Sequence, residues 1–260
     1  MASILISLDL EGVACVVGEA NKTLTDSKDY QFACIQAVHE VNAAIGGLCT
    51  AGADRIDVWD SHDKSLNIDY SAIDSRARVV AGNRESRRFS FAEGNYDAAI
   101  FIGYHAMEGD PVGVLAHSYS SVEFQQIRVN GSPVGEISCD AAMLGESGIP
   151  VLMVVSDDRG CLEAHGRLPD VSTIETKQSI SRNMAISKHP DAVVEEIERM
   201  CAGLVLSDRP SPLRWEPPIT IELEYKRSDD AETKARRDVR FERVEAHTVR
   251  AVVDSLSTVF

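Results

Sequence analysis

Short apolar runs alternate along the chain with segments whose apolar residues recur every three or four positions. This pattern predicts strands interleaved with helices around a largely parallel sheet. Strands are predicted at Ile4–Leu8, Arg55–Asp60, Arg78–Ala81, Ala98–Tyr104 and Val151–Val155. Tyr30–Ile45 reads as a helix with Phe32, Ile35, Val38, Val41 and Ile45 near one face, and Glu136–Ser147, Asp157–Gly166 and Pro190–Leu206 read as further helices. Gly148 and Pro150 stop the second helix, and the aspartates at 157 and 158 open the third as caps. Asn130-Gly131 between Phe124–Val129 and Ser132–Val134 is a tight hairpin turn, because both residues tolerate positive φ. Four prolines and no periodicity mark residues 207–218 as a linker. Beyond it the order reads strand Ile219–Tyr225, helix Asp229–Arg237, strand Val239–Val244, helix Thr248–Ser257. The predicted fold is an α/β three-layer sandwich over residues 1–206, with a small C-terminal αβ lobe, residues 219–260, added to the main sheet.

At 44% hydrophobic and 26% charged residues in 260, the chain has material for a substantial core and is not disordered. Its net charge of −15 repels phosphate backbones, which argues against nucleic-acid or anionic-membrane partners and suits cation binding. The six cysteines form no CxxC pair, and a chain this long does not need a disulfide framework. The first residues lack a basic leader, and Asp9 interrupts their apolar run, so they read as a buried strand rather than a signal peptide. No stretch is read as a membrane span of roughly 20 apolar residues. The expected location is the cytoplasm.

Chemistry gathers where three strands end. Leu8-Asp9-Leu10-Glu11-Gly12, Trp59-Asp60-Ser61-His62-Asp63 and Gly103-Tyr104-His105-Ala106 each pass directly from an apolar run to acids or histidines. Ligands of open α/β sheets collect outside the carboxyl ends of the strands, so these side chains can converge in one crevice. Asp9 and Glu11, two apart, face the same side of an extended chain, and such close carboxylates repel unless a cation or proton intervenes. One strand-end aspartate is ordinarily a cap, and one histidine ordinarily a partly buried polar residue. Three such ends together point to a metal site. Other motifs fail: His39-Glu40 is followed by Ala43 where a zinc-protease HExxH needs its second histidine, and there is no GxSxG, Walker or GxGxxG pattern. His165, His189 and His247 read as surface residues, and the charged stretch 226–243 as a solvated face.

Ser7–Gly12, Asp60-Ser61-His62, Gly103–Ala106, Gly113–Ser118, Val129–Glu136, Pro150–Asp158 and Thr176–Arg182, taken as a set in this order, resemble the zinc-dependent D-aminopeptidase family of bacterial peptide utilisation. The resemblance runs over about residues 3–206. It implies metal ligands at Asp9, Glu11, His62, His105 and Glu136 and two zinc ions per chain. Asp9 would bridge, with Glu11 and His105 completing one site and His62 and Glu136 the other. It also implies that His117 is a catalytic histidine rather than a ligand; the residue lies in Gly-Val-Leu-Ala-His-Ser, which reads as a short strand ending near the same crevice. The expected activity is removal of an N-terminal, D-configured residue from short peptides by a metal-bound hydroxide, in a ring-shaped homo-oligomer that by resemblance is a homodecamer. Strand-end acids alone also suit a dinuclear metal phosphoesterase or a non-catalytic metal- or peptide-binding module.

Overall fold

The computed structural model describes residues 2–82, 87–168 and 170–260. Strands β1 (Ser3–Leu8), β2 (Arg55–Asp60), β3 (Arg78–Val80), β4 (Ala98–Tyr104), β7 (Val151–Ser156) and β8 (Ser172–Glu175) build one sheet. Every pairing in it is parallel, in the order β3-β2-β1-β4-β7-β8. The inner strands β1, β4 and β7 are buried almost throughout and read as near-continuous apolar runs because both faces are covered, whereas β2 carries the buried Asp57 and the edge strands β3 and β8 are partly exposed. Ile4, Ile6 and Leu8 of β1 point to one face, where α1 (Tyr30–Thr50) and α4 (Pro190–Ala202) supply Val41, Ile45, Val193 and Ile197. Leu5, Phe101 and Val154 point to the other, onto Ile137, Ala141 and Leu144 of α2 (Glu136–Glu146). The predicted α/β layering is what the structure has.

From β1 the chain winds to β2 and β3 in one direction, whereas β4, β7 and β8 continue in the other. The order therefore reverses between β1 and β4, and the crevice beyond their carboxyl ends is where such sheets bind ligands. A bulge sharpens that end. The register of β4 on β7 slips between Ile102 and Tyr104, at Gly103, whose φ is +72°. The slip puts the Phe101 and Tyr104 rings on one side, stacked at 4.3 Å, although an unbroken strand sends positions i and i+3 to opposite faces.

A second, antiparallel sheet covers part of the α2 face. It runs β12-β13-β11-β5-β6, from β5 (Phe124–Val129), β6 (Ser132–Pro133), β11 (Ile219–Tyr225), β12 (Glu242–Arg243) and β13 (Thr248–Val253), with α5 (Ser228–Arg237) against it. Two expectations are corrected here. Residues 219–260 do not extend the main sheet; β11 pairs with β5, Ile221 opposite Val129 and Leu223 opposite Ile127, so segments on both sides of residues 207–218 share one sheet. Thr248–Ser257 is not a helix: Val249, Ala251 and Val253 alternate inward with Arg250 and Val252 outward, and the β-branched run pairs with β11 before a short 3-10 turn at Leu256–Thr258.

Smaller differences have similarly local causes. Only Glu242–Arg243 of the predicted strand at 239–244 pairs. Residues 172–187 hold β8, β9 (Lys177–Ser181) and β10 (Met184–Ser187), where no element was expected, because β9 and β10 are polar and largely exposed. α1 runs on through Gly46-Gly47 to Thr50, since α4 passes so close that a Cβ on Gly47 would lie 2.4 Å from the Glu198 carbonyl oxygen. Its buried stripe follows Ala33, Ala37, Val41, Ala44 and Leu48, leaving Phe32 and Ile35 exposed. α1 is long and apolar enough to cross a membrane by length and composition, yet most of its apolar window is buried against the sheet and α4. All six cysteines are free.

Candidate metal centre and active site

Asp9 and Glu11 leave β1 on either side of Leu10, which is fully buried in the core and anchors the turn. The turn is clasped against β4: Gly12 N donates to Gly103 O at 2.7 Å, and Asp9 N to Ile102 O at 2.8 Å. No side chain fits between them, since a Cβ on Gly12 would lie 1.9 Å from the Tyr104 carbonyl oxygen and one on Gly103 2.0 Å from that of Asp9. From the far side, Lys177 Nζ donates to the carbonyls of Glu11 and Val13 at 2.6 and 2.7 Å, and Thr176 Oγ1 to that of Gly12 at 2.6 Å. Glu40 accepts from Ala14 N at 3.0 Å. The backbone carrying the two carboxylates is thus gripped on all sides.

The three strand ends converge as expected, and α2 adds a fourth contribution. His62 Nδ1 lies 2.9 Å from Asp9 Oδ1 and 3.1 Å from Glu11 Oε2. His105 Nε2 lies 3.4 Å from Asp9 Oδ2 and 3.4 Å from Glu136 Oε1. Glu136 opens α2, where the helix dipole favours a carboxylate. His117 stacks on His105 with centroids 4.1 Å apart, its Nε2 3.7 Å from Glu136 Oε1. Its segment is a turn, not the expected strand. Val114 N is held by Asp157 Oδ2 at 2.9 Å, Leu115 N by Arg182 O at 2.9 Å, and Arg182 also reaches Ala116 O. Asp60 faces the loop instead, accepting from Asn67 N at 2.7 Å, while Asn67 Nδ2 donates to His62 O at 2.7 Å.

Electrostatics follow from this packing. Burial opposes the charge on Asp9, but the facing imidazoles of His105 and His62 outweigh it and hold the carboxyl well below its usual range. Burial likewise disfavours charge on both imidazoles, yet the carboxylates facing His62 and His105 hold them well above theirs. For His117, burial and the neighbouring His105 together push the imidazole down, which favours the neutral ring. Burial works against ionised Glu136, and His105 prevails to hold it low.

The donor set suits a borderline cation such as zinc. Glu11 Oε2, His62 Nε2 and His105 Nε2 are buried without a hydrogen-bond partner, an arrangement that costs free energy unless something else binds them. His105 Nδ1 sits 3.0 Å from Ala106 O, so its N–H points there and Nε2 is the nitrogen turned to the cluster, the orientation that metal-ligating imidazoles require; a bound cation would take the place of the proton that the facing carboxylates otherwise hold on it. Ligand atoms of Asp9, Glu11 and His105 lie within 4.8 Å of one another, and so do those of His105, His117 and Glu136. The first group coincides with one site expected from the sequence. In the second, His117 stands beside Glu136, while His62 lies against Asp9 and Glu11.

The family model described as D-aminopeptidase matches residues 2–260. The chain belongs to that family. A curated D-aminopeptidase of Bacillus subtilis (strain 168) is 30% identical over 233 residues, 87% of this chain and 82% of the relative. The solved structure of the zinc-dependent D-aminopeptidase DppA from Bacillus subtilis, described as a self-compartmentalizing protease, superposes with a TM-score of 0.88. It is 27% identical and covers 98% of this chain and 93% of its own. Membership makes this D-aminopeptidase-family chain a peptidase and sets aside the phosphoesterase and non-catalytic readings.

For this peptidase, sequence reasoning missed a buried layer behind the centre. Asp140, one turn after Glu136, accepts from Tyr104 Oη at 2.7 Å and Tyr119 Oη at 2.8 Å and pairs with Arg88 Nε at 3.1 Å. Tyr119 N in turn donates to Glu136 Oε1 at 2.6 Å. Glu163 holds Met107 N at 2.8 Å, steadying the loop after His105, and its burial pushes the carboxyl up to about 7. An acid at i+4 from Glu136 in an otherwise apolar helix was the one legible signal. A cavity of about 510 Å³ opens over Asp9, Glu11, His62, Glu136 and His117, large enough for a small peptide.

Proposed function

We propose that this protein is a zinc aminopeptidase that removes the N-terminal, D-configured residue from short peptides, with two zinc ions per chain held by Asp9, Glu11, His62, His105 and Glu136. The observation that carries it is the convergence of these five side chains, three with buried atoms that lack a partner, beneath a peptide-sized cavity. Asp9 would be the shared ligand, because its two oxygens face different imidazoles, Oδ1 toward His62 and Oδ2 toward His105. Zinc, when bound there, supplies Lewis acidity toward a carbonyl and toward water.

The chain's own residues do the rest. His117 Nδ1 lies 2.9 Å from Leu115 O, so its N–H is committed there and the neutral ring turns Nε2 to the centre. From that position Nε2 takes up the proton released by the attacking water and passes it to the leaving amine, and only while protonated does it donate to the developing oxyanion. Its low proton affinity suits a group that takes a proton only transiently. Its place beside Glu136 also suits a ligand, and zinc content after substitution separates the two roles. The D preference rests on the family.

A ring-shaped homo-oligomer, a homodecamer, and a cytoplasmic setting complete the reading. The likeness to a self-compartmentalizing relative supports assembly, as do Ile180, Met184 and Ile186, exposed together on the β9–β10 hairpin of the single chain. Matched D- and L-aminoacyl dipeptides, offered to zinc-loaded protein alongside p-nitrophenyl phosphate, test the function. Cleavage of D-dipeptides alone is expected, with two zinc ions per chain by metal analysis. Phosphatase turnover without peptide cleavage would sink it, and a one-chain mass by light scattering would remove the ring.

A further inference from the structure

The cavity above the centre is acidic: besides the proposed ligands, Asp26, Asp63 and Glu123 border it. Two side-chain cations, Lys64 and Arg88, line it among the described residues. They differ in kind. The Lys64 side chain is 80% exposed and stands at the rim. That of Arg88 is only 18% exposed and is fixed on several sides. Its Nε lies 3.1 Å from both Asp140 oxygens, its Nη2 3.4 Å from Ser61 O, and its guanidinium packs 5.0 Å from the Trp59 ring and 5.3 Å from that of Tyr119. Asp140 is already shared with the two tyrosine hydroxyls, so it neutralises the guanidinium only in part. Nη1 makes no hydrogen bond among the described residues.

We infer that Arg88 is the subsite for the C-terminal carboxylate of a di- or tripeptide, so that the enzyme selects peptides short enough for their free C-terminus to reach it. A planar guanidinium held rigid by stacking is the side chain best matched to a carboxylate fork. The reach agrees. Arg88 is tied to Asp140, four residues beyond Glu136 and so about 6 Å along α2, and to the carbonyl of Ser61, which precedes His62. Extended peptide spans about 3.5 Å per residue, which puts a carboxylate one or two residues past the scissile bond at that distance. A chain of charge −15 repels peptide carboxylates at large, so admitting one needs a local cation.

This rests on the aminopeptidase reading, and the experiment separates the two. Zinc-loaded full-length protein is given D-Ala-D-Ala and its C-terminal amide. The acid is expected to be favoured about 10- to 100-fold in kcat/KM, with the difference in KM. Arg88→Met made together with Asp140→Asn, so that no lone charge is buried, should reduce acid turnover far more than amide turnover; Lys64→Ala should keep the wild-type preference. Equal use of acid and amide by the wild-type enzyme, or loss of the preference in Lys64→Ala instead, overturns the subsite. Calorimetric binding of both peptides to zinc-loaded His117→Ala reads the same preference without turnover. If the wild-type cleaves neither peptide, the aminopeptidase reading falls. The subsite then stands on acid-selective binding that Arg88→Met with Asp140→Asn abolishes, and equal binding overturns it.

Discussion

Replacing Gly103 by alanine tests whether the close approach of β4 to the β1 turn is what positions Asp9. The new Cβ would lie 2.0 Å from Asp9 O and 2.8 Å from its carbonyl carbon, so the two backbones must part by about 1.4 Å or more to reach ordinary contact. A φ of +72° adds about 1–2 kcal/mol for any residue with a Cβ. Overpacking of a tight core adds about 1–3 kcal/mol more, for a total of roughly 2–5 kcal/mol. Gly52→Ala is the control, because its φ is +87° but its Cβ would meet nothing within 4 Å, leaving only the conformational cost. Because Asp9 touches both His62 and His105, a shift of about 1 Å should also cost on the order of 10²-fold in activity and weaken zinc binding. Urea denaturation, zinc titration and D-dipeptide hydrolysis on the two variants read all three effects. If Gly103→Ala matched Gly52→Ala in stability and in zinc affinity, the close approach would not be what holds the site.

Glu11→Ala and His62→Ala should each lower zinc content and activity together, by metal analysis and peptide assay; full zinc occupancy in either removes that residue from the ligand set. His117→Ala should keep fold and zinc while kcat falls about 10²–10⁴-fold with KM little changed, and loss of one zinc per chain would make it a ligand instead. Buried Glu40 has its carboxyl pushed up to about 7 from an ordinary 4.5 by burial, so the folded protein holds that proton more tightly than the unfolded chain does. The associated stability is present below pH 4.5 and lost as pH rises through 7. Glu40→Gln should therefore gain about 2–3 kcal/mol over wild type at pH 8 relative to pH 5 by urea denaturation, and a difference independent of pH would refute the assignment.

Strand positions β1, β4 and β7 were legible because parallel strands covered on both faces are mostly apolar, and that run is a local property; β2 showed through its Ile56, Val58 and Trp59 despite Arg55 and Asp57. Four of the six candidate site residues, Asp9, Glu11, His62 and His105, were legible for a related reason: strand ends are where such runs stop, and a sharp change from Ile or Leu to Asp or His needs no partner to be noticed. Glu136, at the start of α2, and His117, in a turn, entered only through the family resemblance. The pairing of β11 with β5 was not legible, since it joins residues nearly a hundred positions apart. Nor was the choice of strand over helix at Thr248–Val253, which β11 decides by offering its edge. Arg88 and Tyr119 look like ordinary surface residues in the chain, and Asp140 stands out only as an acid four positions after Glu136; the three become one network only when the loop before β4, the loop after it and α2 meet. Which imidazole faces which carboxylate oxygen likewise belongs to the tertiary structure, because separations of 3 Å between side chains from four segments depend on a bulge at Gly103 and a turn gripped by Lys177. Local sequence settles what each segment is made of; packing between distant segments settles where its atoms come to rest.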